Sequence, residues 1–460
     1  LNTSILYTEL KDDWTQNSQT DFFSESGFLD SIAVINQTNN DVRDKIHFKA
    51  NALYVEPLNK KFYSQTFYNF SNRQETGDRK INDLLLSDEV LNEDLSRTYE
   101  NTIGMHRVGT SIRYSYDGMN ISVGAAYQTF ALDGIFQGAG ESDVNGVVDK
   151  TFNNWIPNFS MNFEPLSNAY MGFGYTRTAK EPTIEDLQPI VNNLNPQYII
   201  EGNPALTPEL SNQFNFNFSK SYPISGIRFN VRANYDIYDN QFSTSETVDE
   251  FLITNAKPIN VDDGSRLNIN GGFNFPIIKN KVTTRIRMNA TQNIKPSLVN
   301  NIENMTTSWS YRPYIRFNIT PVENLGIYIS ANLNYTDTRY DINESQNQKI
   351  RNENYSFELT SKTFLGVFLN ANFQYDRYFN QRFNIDRDIP ILNWSIYKQV
   401  LKDNKGEIRF SLYDSFNKNV GFTSSDSFRA ENNALGRYAM VSFTYNIRGV
   451  KASAHKKSWW

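Results

Sequence analysis

Apolar residues recur at every second position in stretch after stretch of this chain, with Asn, Ser, Thr, Arg or Gln between them. Phe229, Val231, Ala233, Tyr235 and Ile237 share one face of such a stretch, and Arg228, Asn230, Arg232, Asn234 and Asp236 share the other. Ile327 to Tyr335, Val367 to Tyr375 and Ala439 to Ile447 repeat the pattern, and similar runs start at Ile46, Ile121 and Phe214. A period of two belongs to a strand with one apolar and one wet face. Sustained over the whole length, it predicts an all-β protein and leaves open which solvent meets the apolar face.

The connections address that question. Short links are expected at Pro57 to Asn59, Asp117-Gly118, Pro165-Leu166, Tyr222 to Ser225, Ile277 to Asn280, Thr320 to Glu323, Thr363-Phe364 and Lys402 to Lys405. Long loops are expected at 10–44, 71–106, 130–151, 178–208, 240–263, 293–306, 336–352, 376–390 and 417–436. Tight turns at one end and long loops at the other fit an outer-membrane barrel; a soluble sandwich or propeller has no reason to sort its loops by end. The segments number about 18, each of about 10–13 residues, enough to cross a bilayer core at a tilt, and the number is even. The predicted fold is therefore a transmembrane antiparallel up-and-down β-barrel.

Composition agrees. Of 460 residues, 14% are aromatic (26 Tyr, 33 Phe, 6 Trp), cysteine is absent and the net charge is −5. No apolar run is long enough for a spanning helix, whereas barrel strands escape hydropathy scans because half their residues face a polar lumen. Abundant Tyr and Phe suit interfacial girdles, and a mildly acidic balance gives no reason to expect nucleic acid. The chain opens at Leu1 without a secretory leader pattern, so for an exported protein a signal peptide has been removed or lies upstream.

Two stretches carry a family resemblance. Tyr175-Thr-Arg177-Thr-Ala179-Lys-Glu-Pro182-Thr183-Ile184-Glu185-Asp186-Leu187 is followed by Gly202-Asn203-Pro204-Ala205-Leu206-Thr207-Pro208-Glu209, which resembles the mid-barrel signature of TonB-dependent outer-membrane transporters. Leu401-Lys402-Asp403, leading into Leu412-Tyr413-Asp414-Ser415-Phe416-Asn417, is similar to the penultimate-strand region of the Bacteroidetes branch of that family. In the motif itself, Pro204 and Pro208 fix φ and remove donors, Gly202 permits a turn, and Glu209 is placed to accept backbone or Arg hydrogen bonds. A scaffold role is therefore expected for Arg177, Pro182, Gly202, Asn203, Pro204, Leu206, Pro208, Glu209, Asp414 and Asn417, with the ligand-binding residues unassigned. The resemblance implies a barrel of roughly 22 strands closed by an N-terminal plug. Residues 1–44 offer nothing that could fold as a plug, so the sequence reads as the C-terminal portion of a longer chain, with a plugless relative as the alternative. Residues 1–449 are assigned to the barrel and the basic 450–460 to a tail of unassigned role.

Material for catalysis is thin. The histidines are His47, His106 and His455, with no metal-binding spacing or Cys cluster beside them. His47 falls on the polar face of its strand, where an ordinary lumen-facing role is expected, and no catalytic residue and no cofactor are expected. Asp262-Asp263-Gly264 and Asp386-x-Asp388 are candidate loop calcium ligands, without EF-hand spacing. The expectation is a barrel that the resemblance makes a TonB-coupled importer of a bulky nutrient such as a glycan, peptide or metal chelate. Its partners would be outer-membrane lipid, a TonB complex acting through a plug, and a surface lipoprotein or other outer-membrane protein. The alternative is a structural or docking subunit of an outer-membrane assembly or secretion complex, and an enzyme ranks below both.

Overall fold

The computed structural model describes residues 2–23, 29–85, 88–93, 95–138, 146–187, 191–195, 198–249, 253–419, 421–424, 429–432 and 435–446. Among them, eighteen long strands follow one another as an antiparallel meander. They are β1 (Asn2–Phe23), β2 (Leu29–Pro57), β3 (Phe62–Leu85), β4 (Arg97–Tyr116), β5 (Met119–Gly138), β6 (Gly146–Leu166), β7 (Ala169–Lys180), β8 (Glu209–Tyr222) and β9 (Ile227–Asp239). The series continues with β10 (Ser265–Ile278), β11 (Val282–Val299), β12 (Ile302–Val322), β13 (Leu325–Tyr340), β14 (Gln348–Lys362), β15 (Val367–Asn380), β16 (Ile385–Val400), β17 (Gly406–Tyr413) and β18 (Tyr438–Tyr445). Each strand pairs with its chain neighbours; among the described residues no ladder joins β1 to β18, so the curved sheet is open along those edges. No helix among the described residues is long and apolar enough to cross a membrane.

Register brings the alternating residues together into continuous rows. Phe159, Tyr175, Phe214 and Tyr235 stand opposite one another across β6 to β9, and Ile315, Ala331, Tyr355 and Tyr375 do so across β12 to β15. Ring pairs bind the upper edge of this belt: Tyr127 with Trp155 at 5.3 Å, Tyr175 with Phe214 at 5.0 Å, and Tyr355 with Tyr375 at 6.1 Å between centroids. Trp155 is 66% exposed and Val441 73%. A continuous apolar surface of this kind would be a defect in water and is the ordinary outer face of a barrel in lipid. Along β15 the belt runs from Val367 to Tyr375, about nine residues, the length a tilted strand needs for the hydrocarbon core. Directly above it on the same face comes Arg377, paired with Asp386 at 2.9 Å.

The opposite, inner face is polar. Asn217, Arg232, Asn270, Asn289 and Arg312 form one cross-strand row from β8 to β12. Ser330, Ser356 and Gln374 form another from β13 to β15.

One end of the strands closes in tight turns. Asp117 and Gly118 both hold positive φ (45° and 74°), as a two-residue hairpin twisting with its strands requires. Asn168, Gly226, Asn280 and Gly366 supply positive φ at four more turns of this end. The other end departs from the expected loops. Much of 10–44, 71–106, 130–151 and 293–306 is paired strand: Trp14 stands opposite Asn39, Thr76 opposite Glu100, Ile135 opposite Val147 and Pro296 opposite Met305. The last of these hairpins closes in two residues, Asn300 and Asn301, with φ of 50° and 63°. Beyond the lipid belt both faces of a strand are wet, so the ladder continues without an apolar alternation to announce it. The two ends still differ, but by strand overhang more than by coil: β1 has 22 residues and β2 has 29.

Candidate functional site

On the inner face of β4 to β6, above the belt, the polar lining gives way to an apolar patch. Ile103, Phe130, Leu132, Phe136 and Val148 are buried there. In register, Ile103 stands opposite Leu132 and Phe130 opposite Phe152. Two leucines from the β7–β8 connection cover the patch: Leu187, 0% exposed, and Leu206, 2% exposed. The connection expected as one of the long loops is therefore folded inward against the wall. Burying each leucine stabilises that arrangement by about 1.5–3 kcal/mol.

Local chemistry shapes this inserted segment. Thr183 caps a single helical turn, Ile184–Leu187: its Oγ1 accepts from the Asp186 backbone N–H at 3.1 Å and donates to the Asp186 carboxylate at 2.7 Å. Pro182, just before it, is fully buried. Further on, the Asn203 side chain accepts from the Ala205 N–H at 3.0 Å, and the Leu206 N–H reaches the Asn203 carbonyl at 3.2 Å, a side-chain-braced turn through Pro204. Gly202, where a turn was expected, is buried and is not among the positive-φ glycines.

The remaining polar motif residues staple this segment to the β9–β10 connection. Asn203 donates to the Pro258 carbonyl at 2.9 Å, and Thr207 exchanges hydrogen bonds with Asn260 at 2.8 and 2.9 Å, while Pro208 is buried beside it. Glu209 accepts the Phe242 N–H at 2.9 Å. Backbone pairing extends the join: Tyr198–Glu201 runs parallel to Thr254–Val261, which pairs in turn with Gln241–Val248. The Tyr198 hydroxyl donates to Glu246 at 2.9 Å, and burial with that carboxylate pushes its pKa up to about 12.

Arg177 lies elsewhere, on the outer face one step above the girdle. It reaches Asp239 at 3.1 Å, Asp239 also takes Asn212 at 3.0 Å, and Asn212 takes the Tyr175 hydroxyl at 3.0 Å. Asp414 and Asn417 are remote from both groups. The Asp414 carboxylate accepts the backbone N–H groups of Lys418 and Asn419 at 3.0 and 2.9 Å, and Asn417, at φ 55°, accepts from the Arg437 N–H at 2.9 Å. The ten motif residues thus occupy three places rather than one site.

Of the acidic pairs, Asp262 caps the Asn240 N–H at 2.9 Å and Asp386 binds Arg377 through two bonds of 3.1 and 2.9 Å. Among the described residues no group of three or more His, Cys, Asp or Glu converges. His47 shares a 2.8 Å hydrogen bond with Ser71, and His106 sits on the outer face, 2.7 Å from the Tyr68 hydroxyl. His455 and the tail 450–460 lie outside the described residues.

Beside the apolar patch, β2 to β4 present a charged inner wall that sequence reasoning missed: Asp41, Arg43, Lys45, Arg73, Glu75, Arg79, Arg97 and Tyr99, with Glu181 and Glu185 of the inserted segment nearby. Arg43 grips Asp41 through two bonds of 3.0 and 2.6 Å. Burial pushes the Tyr99 hydroxyl well above its ordinary range, helped by Glu75, whose carboxylate it reaches at 3.2 Å. Odd-numbered parity, continued upward from His47 on β2, would have found this wall once these stretches were read as strand.

A curved antiparallel wall of eighteen strands, lipid-ready outside and polar inside with one connection folded against its lining, defines a large outer-membrane barrel. The chain matches the outer membrane protein beta-barrel family over residues 1–301 and again over 279–445, and it belongs to that family; the outer membrane is its location. No curated protein matches the sequence. Among solved structures it is similar to the copper transporter OprC, at 8% identity and a TM-score of 0.40, over 96% of this chain and 81% of that one. It is similar as well to the ferric yersiniabactin uptake receptor FyuA from Yersinia pestis, at 10% identity and a TM-score of 0.38, over 96% and 78%. A double mutant of the Serratia marcescens hemophore receptor HasR, in complex with its hemophore HasA and heme, gives the same figures: 10%, 0.38, 96% and 78%.

Proposed function

We propose that this chain is the barrel of a TonB-coupled importer, of the Bacteroidetes type, that takes up a bulky nutrient such as a glycan, peptide or metal chelate. The observation that carries the reading is the inserted segment. The stretch resembling the transporter signature is packed against the inner wall by Leu187 and Leu206. In this reading the protein is not an enzyme, and the energy arrives through a plug and a TonB-binding segment. The overhanging hairpins face the outside, where long excursions on a rigid scaffold carry recognition and could seat a surface lipoprotein. No resident cofactor enters the reading; calcium at Asp262-Asp263 or Asp386 and Asp388 is a separate proposal, tested by whether chelator lowers the melting temperature of the purified barrel.

The test is uptake by cells lacking the protein, supplied with a panel of glycans, peptides and metal chelates as limiting nutrients, with and without a protonophore. The expected result is loss of one substrate's uptake, restored by the wild-type gene only while the proton-motive force is intact. Undiminished uptake of every substrate, with loss of a surface protein complex instead, would replace import with the docking role.

A further inference from the structure

Arg79 and Arg97 stand directly opposite each other in the β3–β4 ladder, on the inner face above the lipid belt. Like charges in that position repel, and Arg79 is only 8% exposed. The surrounding acids are engaged elsewhere. Asp41, across from Arg79 on β2, gives both carboxylate oxygens to Arg43. Glu75 takes the Tyr99 hydroxyl and lies 3.9 Å from Lys45, and Glu181 lies 3.9 Å from Arg73. What Arg79 receives is a neutral acceptor, the Asn39 side-chain oxygen, 3.2 Å from its Nε. The Nε of Arg97 is buried with no hydrogen-bond partner. Glu185 of the inserted segment is near enough to act on Arg97 electrostatically, yet among the described residues it makes no ion pair with it.

Asp41 also acts on both arginines electrostatically, but its carboxylate is bonded to Arg43, and taking a guanidinium out of water without an ion pair of its own is costly. Two such groups side by side, whose terminal NH2 groups make no hydrogen bond among the described residues, match the geometry of an oxyanion, which arginine grips through paired N–H donors. We propose that Arg79 and Arg97 form an oxyanion-binding subsite on the inner wall, taking a carboxylate or phosphate group of a small solute that enters from the hairpin end. Asn39 and Tyr99 border the site, and Glu185 is the charge an arriving anion would have to outcompete. The subsite deepens the import reading by giving the cargo an anionic group, but binding itself can be measured without transport.

Titration calorimetry on the purified, detergent-solubilised protein, with pyrophosphate and citrate as probes, tests it. Wild type should bind at least one of them saturably. Arg97→Gln and Arg79→Gln should each weaken that binding at least tenfold, while Arg312→Gln, on the inner face within the belt, should leave it unchanged. Heat-modifiable migration on gels reports that each variant is folded; should Arg79→Gln not assemble, Arg97→Gln decides. Absence of saturable binding by wild type, unchanged binding in Arg97→Gln, or equal loss in Arg312→Gln, which would mean diffuse attraction by lumen charge, overturns the proposal. A failed uptake assay would leave a positive binding result standing, and lost binding would leave uptake measurable, so the two readings fail separately.

Discussion

Ala331 and Asn332 are neighbours on β13 and meet different solvents. Ala331 lies in the outer row between Ile315 and Tyr355, and Asn332 in the inner row between Tyr314 and Asn354. Arginine at position 331 would put a charge against hydrocarbon, at a cost of about 2–4 kcal/mol near the bilayer midplane, whereas at 332 it meets the polar lumen. Ala331→Arg should therefore reduce the heat-modifiable, folded band in outer-membrane fractions, and Asn332→Arg should leave it at the wild-type level. Equal behaviour of the two variants would mean that the faces are misassigned. Parity at this scale is legible in sequence because the apolar residues carry it.

At the scale of elements, legibility follows the lipid belt. Within the belt, alternation located the strands; above it, alternation fades, and β1, β2 and β3 run on through stretches that read as loops. The inserted segment was legible as a motif but not as a position. Nothing in Pro182 to Glu209 says whether Leu187 and Leu206 meet water or wall, because their partners Ile103, Phe136 and Val148 come from strands far earlier in the chain. The charged wall was missed for the same reason, since Arg79 and Arg97 become neighbours only through a hairpin that was read as coil. The packing of the segment is testable. Leu187→Asn with Leu206→Asn should remove about 4 kcal/mol or more of burial from it, on the scale of large-to-small core substitutions, while leaving the transmembrane ladders untouched. The double variant should assemble normally, show a larger single-channel conductance in planar bilayers and become sensitive to protease within 181–208. Wild-type conductance and protease resistance would place the segment's anchoring elsewhere.

As a whole the molecule is an outer-membrane barrel, and we infer that its tight-turn end faces the periplasm and its overhanging hairpins face the outside. The belt and the girdle of Tyr127, Trp155, Tyr175, Tyr355 and Tyr375 set the wall in the bilayer, and the separation of tight turns from long hairpins sets that orientation. The placing of Arg79, Arg97 and the inserted segment where a solute would arrive depends on it. Asn343, in the β13–β14 connection, and Asn404, in the β16–β17 turn, are both exposed and mark opposite ends of the wall. The native chain has no cysteine, so a single cysteine at either position is the sole thiol to label. The decisive measurement is labelling of Asn343→Cys and Asn404→Cys by a membrane-impermeant maleimide on intact cells. Position 343 should label on intact cells and position 404 only after the outer membrane is permeabilised; labelling at 404 with protection at 343 would contradict this orientation.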